Sequence, residues 1–169
     1  MTELDQIWSQ MLADAGDRAG EEGRRHVVEY LRLRATNDAI RSKGVAWLID
    51  AFIDVATNAQ RGTPNLSIER IEPHTFSYGN STMVGIQLVI SHGVRCLSIE
   101  AGWVRSPSHG IMRGGALAVA NIAHFGMPKA GTRIRLIHHD DELPRWIDDE
   151  QDQIDAASIQ QHLDIMLGS

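Results

Sequence analysis

The sequence predicts an α+β fold: N-terminal helices packed on one face of an antiparallel β-meander, with a C-terminal helix closing the chain. Three observations carry this. All five prolines (Pro64, Pro73, Pro107, Pro128 and Pro144) follow residue 63, so only the first third can run as uninterrupted helix. After Gly62 the hydrophobic period changes from 3.6 to 2, and beyond Asp155 it returns to 3.6. With 169 residues, 43% of them hydrophobic and 22% charged, the chain reads as one globular domain, 1–169. Residues 1–62 are its helical segment, 63–150 its sheet and 151–169 its last helix. A chain of this length buries roughly 70% of the surface its unfolded form exposes, so neither metal nor disulfide is needed to hold a core. The single Cys96 agrees.

The first helix is announced by Thr2 and Asp5 as a capping box. It is carried by Leu4, Ile7, Trp8, Met11 and Leu12 at i, i+3, i+4, i+7 and i+8, and closed by Gly16. A second helix over 17–34 contains Gly20 and Gly23, each a cost of about 1 kcal/mol against Ala. Its apolar side is Val27, Val28, Tyr30 and Leu31, while Arg18, Arg25 and Arg32 recur every seven residues on the other. Thr36 or Asn37 is then expected to cap a third helix whose stripe is Ile40, Trp47, Leu48, Ala51, Phe52, Val55 and Ala59.

In the sheet, 66–71 reads as a strand, and 83–91 with 94–105 as a hairpin turning at His92-Gly93. That turn sets Leu88 by Leu97, Ile86 by Ile99 and Val84 by Ala101 on one apolar face. The other face carries Val89 by Cys96, Gln87 by Ser98 and Gly85 by Glu100. Residues 116–125 bear alanines that suit a helix and glycine boundaries that suit a strand. Strand is favoured because alternation collects Leu117, Val119 and Phe125 on one side. Strands at 132–138 and 145–148 follow. The last helix has Asp155 as its cap and Ala156, Ile159, Leu163, Met166 and Leu167 as its stripe.

Charge is segregated. Residues 17–43 hold seven bases against five acids, whereas 140–155 hold eight acids against Arg145 alone, within a net charge of −6. The acidic block repels phosphates, which argues against nucleic acid as a partner. Ordinary solvated faces are the plain reading of both groups; as complementary surfaces they point to a protein partner or to self-association. The longest apolar run, 45–56, is broken by Asp50 and Asp54, so no membrane span is expected, and with no leader pattern in view a cytoplasmic location is.

Catalytic and metal patterns are sparse. His138, His139, Asp140 and Asp141 are the densest cluster of ligand types, but adjacent strand residues point to opposite faces, and no metal site or cofactor is expected. Asp148, Glu150 and Asp152 alternate as in a calcium loop, yet Gln153 takes the place of the required glycine and Ile159 that of the closing Glu. Cys96, between apolar neighbours, reads as an inert packed thiol. Trp47 and Trp103 read as core, and Trp146 as a strand-end indole folded over the sheet.

The richest segment is 105–115. Arg105 and Arg113 with Ser106, Ser108 and His109 supply donors, and Gly110, Gly114 and Gly115 let backbone amides approach a ligand. Such a set suits a carboxylate or phosphate, with Glu100 beneath it as a possible general acid or base. It is neither a Walker loop nor a dinucleotide fingerprint, and an ordinary glycine-rich connection would read the same way. The expected function is therefore a non-catalytic binding or protein-interaction domain. The alternative is a small enzyme or ligand sensor that holds an anionic small molecule at 105–115.

Overall fold

The computed structural model describes residues 3–18, 25–112, 114–139 and 142–168. They form three helices and a six-stranded antiparallel sheet in the order β1 to β6, the α+β meander that the sequence predicts. The chain divides into two compact units, Met1–Ile40 and Arg41–Ser169.

In the first unit, α1 spans Glu3–Arg18 and so runs past Gly16; its expected cap, Thr2, lies outside the described residues. The stripe is present but faces water, with Leu4, Ile7, Trp8 and Met11 all exposed. The two helices expected next are one, α2, Arg25–Gln60; Gly20 and Gly23 lie outside the described residues. Thr36 does not cap a new start. Its Oγ1 donates to the carbonyl of Arg32 at 2.8 Å, which satisfies a hydroxyl inside a running helix. Residues 34–40 contain neither glycine nor proline to break it.

In the second unit the remainder of α2 buries Val45, Leu48, Ile49, Phe52 and Ala56, a stripe at i, i+3, i+4, i+7 and i+11. Trp47 was expected in the core and is not: one helical position from Leu48 is a turn of about 100°, which leaves the indole 48% exposed. Strands β1 (Ser67–Tyr78), β2 (Ser81–His92), β3 (Arg95–Trp103), β4 (Ala118–His124), β5 (Thr132–Ile137) and β6 (Arg145–Asp148) follow, then α3 (Ala156–Leu167). Asp155 caps α3 as expected, accepting from the Ser158 amide at 2.9 Å, and the Ser158 side chain completes a capping box.

The hairpin turns one residue later than expected, at Gly93-Val94, because Gly93 supplies the positive φ (+61°) at the first turn position. The pairing becomes Ile90 with Leu97, Leu88 with Ile99 and Ile86 with Ala101. A register change of two leaves every side chain on its expected face, and Ile86, Leu88, Leu97 and Ile99 are buried together. β4 is a strand, but its core side is not the expected one. Ala118, Ala120, Ile122 and His124 are buried on the helix-covered face, and Phe125, past the strand end, is 78% exposed. The alanines provide room for helices there.

The second-unit part of α2, together with α3, covers this first face. Trp146 is buried and donates Nε1–H to the Gly44 carbonyl at 3.0 Å, Arg41 Nε donates to the Leu117 carbonyl at 2.9 Å, and Phe52 lies against His162. Trp103, expected in the core, is half-buried. The second face carries a smaller apolar cluster of Phe76, Met83, Ala116 and Val119, packed on by Tyr78, Val104 and Met112. β1 reaches this face through a register shift between Ile71 and His74. One extra residue flips the alternation, so His74, Phe76 and Tyr78 join Glu69 and Ile71 there.

Candidate functional site

Cross-strand pairing builds the second face rung by rung. One rung sets Gln87, Glu100, Asn121 and Arg133 side by side, and the next sets His74, Gly85, Gly102, Val119 and Arg135. The two glycines leave the second rung bare. A Cβ on Gly102 would lie 2.5 Å from the Val84 carbonyl oxygen, and one on Gly85 would strike that of Ala101. His74 uses the gap. From β1 its ring crosses β2 to reach Glu100 on β3, Nε2 to Oε2 at 2.6 Å. It also stacks on Phe76 with ring centres 5.8 Å apart.

Next to this pair, Tyr78, Ser81, Met83, Met112, Val119, Arg135 and Asp149 with Gly110, Ile111 and Gly114 line an open cleft of about 730 Å³. Arg135 lies beneath Gly114, where a Cβ would come within 2.8 Å of its Nη1, and Gly114 holds φ +71°. The positive φ favours glycine. Among the described residues the buried Arg135 Nε has no hydrogen-bond partner, nor has Asn121 Oδ1. Arg133 stands 5.6 Å from the centre of the Tyr78 ring. The Tyr78 hydroxyl is pushed above its usual range, first by burial and then by Asp149, against the opposite pull of Arg133 and Arg135. At neutral pH it is a protonated donor.

No known protein family, curated relative or solved structure matches the chain.

The residues singled out by sequence separate in space. Gly110 and Gly114 line the cleft, Gly115 is exposed with φ +69°, and Arg113 lies outside the described residues. Arg105 is engaged away from it: its guanidinium lies 3.6 Å over the Trp103 ring and its Nε donates to the Val84 carbonyl at 3.3 Å. Ser106, at the N-cap of a single 3₁₀ turn, Pro107–His109, bonds to Ser108 within that turn at 2.8 Å, and His109 Nδ1 is buried without a partner among the described residues. Glu100 gains His74, a partner 26 positions away that no local pattern announces. Arg133 and Arg135 had a signal in the sequence, since two arginines at i and i+2 of a strand share one face. Tyr78 and Asp149 had none.

Asp140 and Asp141 of the His138 cluster lie outside the described residues. Among those described, no group of three or more His, Cys, Asp and Glu side chains gathers to hold a metal ion, and no helix is long and apolar enough to cross a membrane. Asp148 of the calcium-like alternation instead accepts the Glu150 and Asp152 amides at 2.9 Å each, an Asx turn.

Proposed function

We propose that this chain is a non-catalytic, cytoplasmic binding domain whose cleft takes a small molecule with an anionic head and an apolar body. Arg135 carries the reading: a guanidinium that lines the cleft, and whose Nε has no hydrogen-bond partner among the described residues, favours an anion. The Tyr78 hydroxyl adds a neutral donor, and Met83, Met112 and Val119 offer the apolar wall. The volume falls within the usual range for small-molecule sites. Asp149, which also lines the cleft, disfavours highly charged anions and so favours a single carboxylate over a phosphate monoester. The lone free thiol, Cys96, fits a reducing compartment.

Calorimetric titration with benzoate and phenyl phosphate, and with benzyl alcohol as the neutral analogue, tests this. Saturable binding of at least one anion is expected, weakened about tenfold or more by Arg135→Gln, the loss of a charge-assisted hydrogen bond, and unchanged by Arg105→Gln. Absence of saturation for both anions, or equal binding by wild type and Arg135→Gln, would overturn it.

A further inference from the structure

We infer that the unit Met1–Ile40 is a self-association element, and that its exposed apolar side chains are covered by the same unit of a second copy of this chain. On α1, Leu4, Ile7, Trp8 and Met11 fall within one arc of the helix, yet they are 74%, 51%, 54% and 58% exposed. In the same unit Tyr30 and Leu33 of α2 are 59% and 58% exposed. A 16-residue helix is marginal in water unless its apolar face is packed. These six side chains leave on the order of 800 Å² in water, which is the area each partner contributes to a stable interface of standard size.

Charge selects the occupant. Residues 3–12 of α1 hold Glu3 and Asp5 and no base, whereas 25–34 of α2 hold Arg25, Arg32 and Arg34 against Glu29. Acid on one helix and base on the other, within one unit, is the pattern a two-fold pair satisfies reciprocally: α1 of each copy meets α2 of the other. An anionic lipid surface wants lysine or arginine beside the apolar stripe, and α1 presents acids there.

Sedimentation equilibrium of the full chain, with far-UV circular dichroism to check helix content, decides the matter. Wild type is expected at twice the monomer mass at micromolar concentrations, with dissociation promoted by salt. Trp8→Glu, which places a charge in the seam, should weaken association by about 100-fold or more. Gln6→Glu, on the opposite side of α1, should leave it unchanged. A monomeric wild type across the concentration range, or a dimer indifferent to both Trp8→Glu and Ile7→Glu, would overturn the proposal.

Discussion

His124 of β4 and His162 of α3 share one hydrogen bond, Nε2 to Nδ1 at 2.9 Å, with their rings stacked 5.2 Å apart in the buried layer between helix and sheet. Because one nitrogen of such a pair must be the acceptor, at least one imidazole is neutral. Burial lowers both pKa values, and the mutual repulsion of two imidazoliums takes His162 to about 4. The folded state therefore binds fewer protons than the unfolded chain between about pH 6.5 and pH 4. Stability is fully present above that window and falls as pH drops through it, by roughly 3 kcal/mol for a gap of this size. Urea denaturation at pH 7.5 and 4.5 should show wild type losing more stability than His162→Leu; parallel losses would contradict this.

Leu97, wholly buried opposite Ile90, sits at the centre of the helix-covered face. Leu97→Ala should cost about 2 to 5 kcal/mol by chemical denaturation. A loss below about 1 kcal/mol would mean that the face collapses around the gap.

Gly85 lies where a Cβ would meet the backbone of Ala101 and Gly102. Gly85→Ala should destabilise by about 1 to 3 kcal/mol, the usual cost of overpacking, and should separate His74 from Glu100. An unchanged unfolding midpoint would show that the bare rung has slack.

Trp146 joins sheet to helix through Gly44. Trp146→Phe keeps most of the buried ring but removes the donor, so a cost of about 1 to 3 kcal/mol is expected from the orphaned carbonyl and the lost packing. Stability within about 0.3 kcal/mol of wild type would show the carbonyl finding water instead.

The local period settled the kinds of elements, because the side-chain repeat of helix or strand is a property of a few neighbouring residues. The meander, the strand at β6, the cap at Asp155 and the buried hairpin quartet are all legible that way. Periodicity does not encode which side of an element will be covered. Trp47 and Phe125 looked as apolar as Leu48 and Ile122, and only the positions of the covering helices decided that the first two meet water. Thr36 shows the same limit at shorter range, since a hydroxyl that can cap a helix can equally bond back inside one.

The candidate site lay further from view. The sequence by itself marked Glu100 and the glycines of 110–115 as chemically able residues. Tertiary structure alone decided their company. It brought His74 across a bare glycine rung to Glu100, turned Arg105 onto Trp103, and set Arg135 beneath Gly114. The physical reason is that a site is made by register and by the absence of side chains on intervening strands, and both arise from pairing between residues that are distant in the chain.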